Sequence, residues 1–352
     1  MKFLLTVFFS GLILSVFAQD DVEVTSQQKT NYDSLREHYI KSYPDHFFLW
    51  PVLKQRAQDF EMKSLADPKN KLSYKSNKPY GLGVGMYLFD VGLELTFAIP
   101  LNEKRKEIYG KSTSRDLQIN AIGKKFGVDA YFQRYQGFYI VDPNNKVLPG
   151  EPYPQRPDIQ TRNIGVTGSY VFNNKKFSFR SAYTYAERQL RSNGSFIIFG
   201  SISGFKVLGD SAIIDDALAA NFGGNGTIRK IKATTLGVAP GYAYSLIYKG
   251  FFLNGTLAVG PAHNWLYYQL EDGTEKNDIK FDAYVAARFG LGFNGDHFFG
   301  GLSFVVQSRT AKFETVQFSS TNSTFKILIG YRFKEFGILK KRLVDLPKEL
   351  FN

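Results

Sequence analysis

From Tyr80 onward, large apolar side chains alternate with small or polar ones, and only an extended strand sorts two such sets onto opposite faces. In Val91-Gly-Leu-Glu-Leu-Thr-Phe-Ala-Ile99 the odd positions are apolar, and Gly92, Glu94, Thr96 and Ala98 lie between them. Phe281, Ala283, Val285, Ala287, Phe289, Leu291 and Phe293 repeat the scheme against Asp282, Tyr284, Ala286, Arg288, Gly290 and Gly292. Phe325, Ile327, Ile329, Tyr331 and Phe333 do so once more. A soluble sandwich also alternates. These segments, however, run about 9 to 14 residues where globular strands favour about 5 to 6, and their second face carries small residues with scattered charges. The pattern predicts an all-β chain forming a transmembrane antiparallel β-barrel; a secreted sandwich or solenoid is the alternative.

Average hydropathy conceals this. The 33 Phe and 21 Tyr among 352 residues need apolar surroundings, yet the mean hydropathy of −0.22 is that of a soluble protein. Alternation reconciles the two, because lipid-facing and lumen-facing residues cancel along each strand. With no cysteine, disulfides, thiolate metal sites, cysteine nucleophiles and lipidated cysteines are excluded.

Residues 1–18 carry Lys2, an apolar run from Phe3 to Val16 and the sequence Val16-Phe17-Ala18, the pattern of a secretory signal cleaved after Ala18. The rest of the chain holds no run of about 18 apolar residues, so an exported protein held in a membrane must be a barrel. The expected location is the outer membrane of a Gram-negative cell. The expected divisions are a signal peptide over 1–18, an N-terminal segment over 19–45, a barrel over 46–333 and a periplasmic tail over 334–352. The N-terminal segment, with a short helix expected at 32–43, either hangs in the periplasm or plugs the lumen.

Short periplasmic turns must alternate with longer outer loops. A count of twelve strands beginning at Tyr80 fails this parity. Dividing residues 194–214 into two strands around Ser203-Gly204, and taking 47–64 as the first strand, brings the count to about fourteen, with twelve as the alternative. Outer loops then fall at 65–79, 100–113, 137–161, 187–193, 215–232, 270–278 and 311–321. Tyr87, Phe89, Phe126, Phe172, Phe177, Phe199, Phe205, Tyr248, Phe251, Phe293 and Phe298 flank the short turns as an aromatic girdle would. Pro51 and Pro240 fall inside strands, where the missing ladder donor suggests bulges.

Three strings carry a resemblance: Ser42-Tyr-Pro-Asp45, Glu187-Arg-Gln-Leu-Arg-Ser-Asn-Gly-Ser-Phe196 and Gly237-Val-Ala-Pro-Gly-Tyr-Ala-Tyr244. The chain resembles an uncharacterised family of Bacteroidota outer-membrane β-barrel proteins, defined only as a domain of unknown function. The resemblance implies location and fold and carries no substrate or site residue.

Catalytic chemistry finds little support. Of the four histidines, only His263 lies near the outer end of a strand, where a lipid-hydrolysing Ser-His pair would sit, and an interfacial role beside Trp265 is the simpler reading. Glu94, Asp129, Arg180, Asp282, Arg288, Arg309, Lys326 and Arg332 point to the lumen by alternation, where mixed charges form ion-pair networks or a pore lining. Gly81-x-Gly83-x-Gly85 lies within one strand and reads as a lumenal glycine stripe. Neither cofactor nor metal is expected: Asp210, Asp215 and Asp216 could draw a calcium ion to an outer loop, but nothing there resembles a defined calcium loop.

The net charge of +12 includes Lys104, Arg105, Lys106, Lys111, Arg188, Arg191, Arg229, Lys230 and Lys232 in expected outer segments. Lipopolysaccharide phosphates are the natural partners there, with Lys104, Arg105, Lys106, Lys111, Arg229, Lys230 and Lys232 as the contacts; outer-membrane lipid is expected and nucleic acid is not. The leading expectation is a passive pore or transporter for small solutes, not an enzyme. A closed barrel acting as a scaffold or envelope partner is the alternative, and a lipid-active enzyme ranks third.

Overall fold

The computed structural model describes residues 26–88, 91–223 and 227–334; the expected signal peptide and its cleavage after Ala18, and the tail beyond Lys334, lie outside the described residues. A helix, α1 (Ser26–Tyr39), and a short β1 (Ile40–Ser42) lead into β2 (His46–Ser64). The same antiparallel sheet contains β3 (Lys71–Lys75), β4 (Gly81–Leu88), β5 (Val91–Ala98), β6 (Thr113–Ile122), β7 (Phe126–Val141) and β8 (Gln155–Val171). It continues through β10 (Asn193–Leu208), β11 (Ile228–Tyr248), β12 (Phe251–Leu270), β13 (Glu275–Asn294), β14 (Phe298–Phe313) and β15 (Val316–Lys334). β9 (Glu187–Gln189) pairs with β1 instead. Short helices α2 (Glu103–Tyr109), α3 (Arg180–Tyr183) and α4 (Asp216–Ala219) occupy the connections.

Ten strands close a ring. β15 pairs with β2 from Val316↔Ser64 to Lys334↔His46, and β3 bridges β2 to β7. β4, β5 and β6 lie outside that ring path: the β4–β5 hairpin pairs onto Phe48–Lys54 of β2, and β6 pairs onto β7. The count of about fourteen is therefore corrected. β10 runs unbroken through Ser203 and Gly204, which sit in ladders on both sides, so the turn expected there does not exist. Residues 173–186 form no wall strand. The expected outer loop at 187–193 is corrected too, because it belongs to a segment, 172–192, at the end where His46 meets Lys334.

That end, here the proximal end, also carries the turns at 123–125, 249–250 and 295–297; the distal end carries the longer connections at 142–154 and 209–227. Neither proline makes a bulge. Register is kept from Gly237↔Ala262 to Gly241↔Ala258 around Pro240, and from Leu328↔Val52 to Tyr331↔Leu49 around Pro51. Each proline pairs normally with its other neighbour, Ile198 or Val84, so the missing donor is absorbed without an inserted residue.

Alternation sorts the two faces as the strand period requires. Leu257, Val259, Phe281, Phe289, Leu291 and Ile329 are exposed on the outer wall, while Ala258, Tyr284, Ala286 and Arg288 are buried on the inner one. Phe126, Phe172, Tyr248, Phe251, Phe293 and Phe298 stand exposed near the proximal turns. Tyr87, Phe177, Phe199 and Phe205 do not join them: they are buried inside, which corrects their place in the expected girdle. Phe89 lies outside the described residues.

Candidate functional site

Three layers fill the barrel interior. At the proximal mouth, segment 172–192 turns inward rather than crossing the wall, because Phe177, Phe179, Tyr183 and Tyr185 find an apolar surface in Phe48, Phe199, Phe252 and Phe299. Arg180, expected on a lumenal strand, instead lies on α3 within this insert, and its guanidinium donates to the Tyr87 hydroxyl. Arg332 is fully buried beneath it, donating to the carbonyls of Gly295 (2.5 Å) and Tyr185 (2.6 Å) and to Asn294 (2.7 Å). At the distal mouth, Phe60, Tyr74, Phe205, Phe313 and Phe318 pack with Ile213, Ile214 and Phe222, which belong to the connection after β10, its described part 209–223 folded over the opening.

Between the two apolar layers lies a polar belt. Arg309 donates to Ser201 at 2.6 Å and to Gln307 at 3.2 Å, and its guanidinium lies over the Tyr284 ring. Thr167 donates to Gln307 and is hydrogen-bonded to the Ser201 hydroxyl, and Asn163 donates to Gln133 and Asn322. Inward polar groups of β8 and β10 thus bond those of β14 and β15 across the lumen. Asp282 sits towards the distal end and accepts the Lys312 backbone N–H at 2.8 Å.

Beside this belt is a chamber of about 450 Å³ lined by Trp50, Lys54, Glu94, Asp129, Arg288 and Lys326 among others. Glu94 on β5 accepts from Lys54 at 2.8 Å, from Lys326 at 3.0 Å and from the Trp50 indole at 3.3 Å. Asp129 on β7 pairs with Arg288 of β13, whose guanidinium also lies over the rings of Phe179, Tyr183 and Phe199. Gly85 of the expected glycine stripe is needed here, since a Cβ would stand 2.1 Å from the Trp50 indole. Three cations face two carboxylates, which leaves room for one more negative charge. Alternation had pointed Glu94, Asp129, Arg288 and Lys326 inward; Lys54 and Trp50 were missed, although their even numbering along β2 with Phe48 and Val52 was the available signal.

The expected lipopolysaccharide contacts divide between two places. Lys104, Arg105 and Lys106 lie on α2 with Lys111 just beyond it; Arg105 donates to Asn77 at 3.0 Å and Lys106 pairs with Glu103 at 2.6 Å. Arg229, Lys230 and Lys232 lie on β11, where Lys230 and Lys232 hold their ammoniums 4.9 and 4.8 Å from the Tyr267 ring. Register extends this second group across the outer wall: Arg134↔Arg162, Arg162↔Lys206 and Lys206↔Lys232 are direct cross-strand neighbours. Like charges placed directly opposite destabilise a sheet, so this row costs stability unless anions lie against it.

His263 lies tilted against Trp265 with ring centroids 4.2 Å apart and meets Phe281 edge-on at 4.5 Å. Among the described residues, no group of three or more His, Cys, Asp or Glu is placed to hold a metal ion.

Residues 31–333 match a family described as Domain of unknown function (DUF4421). No curated protein matches the chain. Among solved structures it is similar to the outer membrane protease OmpT from Escherichia coli, at 10% identity over 83% of this chain and 98% of that one, with a TM-score of 0.38. It is also similar to the translocator domain of the autotransporter NalP from Neisseria meningitidis, at 10% identity over 87% and 95%, with a TM-score of 0.32. A third is the attachment invasion locus protein Ail of Yersinia pestis, at 13% identity over 82% and 99%, with a TM-score of 0.19.

Proposed function

The chain belongs to the DUF4421 family of unknown function, and from that premise we propose that it is an outer-membrane barrel with a closed lumen that works as a binding protein rather than a passive pore. The outer membrane is supported by the outward apolar wall: Leu236, Leu257, Phe281, Leu291 and Ile329 would be costly in water and suit hydrocarbon. The single observation that carries closure is the layered interior, with aromatic packing at both mouths and the Arg309–Ser201–Gln307 belt between them. A solute would have to break buried hydrogen bonds to pass. The reading is not that of an enzyme: His263 is engaged by two aromatic rings, and the chamber carboxylates by cations.

Purified full-length protein in planar bilayers is expected to show no steady conductance. A steady conductance from the unmodified barrel would overturn closure. The cross-strand row Arg134, Arg162, Lys206 and Lys232 favours lipopolysaccharide phosphates as partners on the wall. Changing Arg162, Lys206 and Lys232 together to Gln should reduce the lipopolysaccharide that copurifies; undiminished copurification would exclude the row as its seat.

A further inference from the structure

Among the described residues β5 pairs only with β4 and β6 only with β7, so each presents a free edge, and the two edges face each other. Their Cα atoms approach within 8 Å, yet among the described residues no ladder joins them. The seam has a definite cause in register: β3 bridges β2 and β7 only at Phe60–Lys63 and Tyr139–Val141, and proximal to that bridge the wall divides into the β4–β5 hairpin on one side and β6 on the other.

The chamber opens at this seam. It is lined by consecutive residues of both edge strands, Gly92, Leu93 and Glu94 on β5 and residues 118–122 on β6. Consecutive residues point to opposite faces, so one cavity touches both faces only where it reaches the strand edge. The outer wall flanking the seam is strongly apolar, with Val84, Leu95, Phe97 and Leu117 each more than 60% exposed. Inside lie the Lys54–Glu94–Lys326 cluster and the Arg288–Asp129 pair, which together carry one surplus positive charge.

We propose that the β5–β6 seam is a side port through which one anionic single-chain amphiphile enters from the bilayer. Its head binds at Lys54 and Lys326 and its alkyl chain trails between Leu93 and Ile119 into the lipid. A chamber of about 450 Å³ is the size of a small-molecule site, ample for one carboxylate head and the first part of its chain. The proposal rests on the membrane location argued above and specifies the ligand class.

Trp50 lines the chamber and the chain has only two tryptophans, so Trp265→Phe leaves Trp50 as the reporter. The probe is a C16 carboxylate brominated near its head, added to the full-length protein in lipid nanodiscs. Saturable quenching of Trp50 is expected. Asn120→Phe, which narrows the port, and Lys326→Gln, which removes the surplus charge, should each weaken it roughly tenfold or more. Folding of each variant is checked by heat-modifiable gel mobility, and a variant that fails it is replaced by Gln118→Phe or Lys54→Gln.

No quenching in folded protein would overturn the port. Equal quenching by a brominated C4 carboxylate would make the site one for soluble anions, and equal quenching by the C16 methyl ester would remove the role of charge; either outcome also overturns it. A conducting barrel that still binds the C16 acid saturably would overturn closure and leave the port standing.

Discussion

The two mouths of this barrel are closed by different physics. The proximal one is shut by chain that has left the wall: segment 172–192, with β1 and Tyr43 packed beneath it, is tied by Glu187, which accepts two hydrogen bonds from Arg36 and one from Ser178 and lies 3.7 Å from Arg180. The distal one is shut mostly by the strands' own side chains, with Phe60 stacked on Tyr74 at 4.4 Å and Tyr268 tilted against Phe313 at 4.9 Å. An inserted segment must bring its own backbone polar groups into the lumen and satisfy them there, so charge and hydrogen bonds accumulate. Strand side chains bring no such debt, so at the distal mouth charged contacts are confined to the connection over it, where Arg156 donates to the Ala212 and Ile213 carbonyls and Glu271 accepts the Ala212 N–H. The proximal closure, whose Glu187 holds two arginines, should therefore answer more strongly to pH and to the loss of single charges than the distal one.

The sharpest way to break this contrast is Glu187→Ala. Two arginines would lose their buried counter-ion, and breaking such a pair from one side costs about 3–5 kcal/mol. A large fall in the midpoint of chemical unfolding is expected, with protease access to 172–192 appearing first. An unchanged midpoint would mean that the aromatic contacts alone hold the insert.

Tyr74→Phe tests the distal side at smaller cost. The hydroxyl donates to the Ile213 carbonyl at 2.6 Å, and its loss should cost about 1–2 kcal/mol. Stacking on Phe60 survives, so the 209–227 connection should stay closed to protease; opening there would show that a polar contact, not packing, holds the distal lid.

The smallest effect is the pH response of the proximal turn. Asp296 is held down to about 2, chiefly by the hydrogen bond from Lys41, against the cost of burial and helped by Tyr43 and Arg188. A carboxylate depressed on folding stabilises above its unfolded value of about 3.9 and loses that contribution as pH falls through its folded value. Between about pH 4 and 2, then, the N-terminal segment should loosen, by no more than about 1 kcal/mol because both partners are half exposed, and salt should blunt the effect. Asp296→Asn should remove the pH step. A step of equal size at the distal mouth would erase the contrast.

Much of the wall was legible from residue order. In Phe281 to Phe293 the outward and inward sets match the exposed and buried sets, because a strand offers each side chain only two directions. The chamber was half legible: Glu94, Asp129, Arg288 and Lys326 were placed inward, but nothing local shows that Glu94 meets Lys326, 232 positions away, or that Arg288 reaches Asp129. The insert was misread for the same reason. Phe177, Phe179, Tyr183 and Tyr185 have the aromatic content of a wall strand, and their seat against Phe252 and Phe299 depends on residues far along the chain.

Residue order by itself determined that this chain makes long strands with one apolar face, since that follows from a period of two and needs no partner. Only the tertiary structure decided how many strands close the ring, that 172–192 fills the mouth, and that β5 and β6 face each other unpaired. Those outcomes depend on which distant strand each edge meets, and an alternating pattern presents the same two faces whether its edge is paired, free or folded inward.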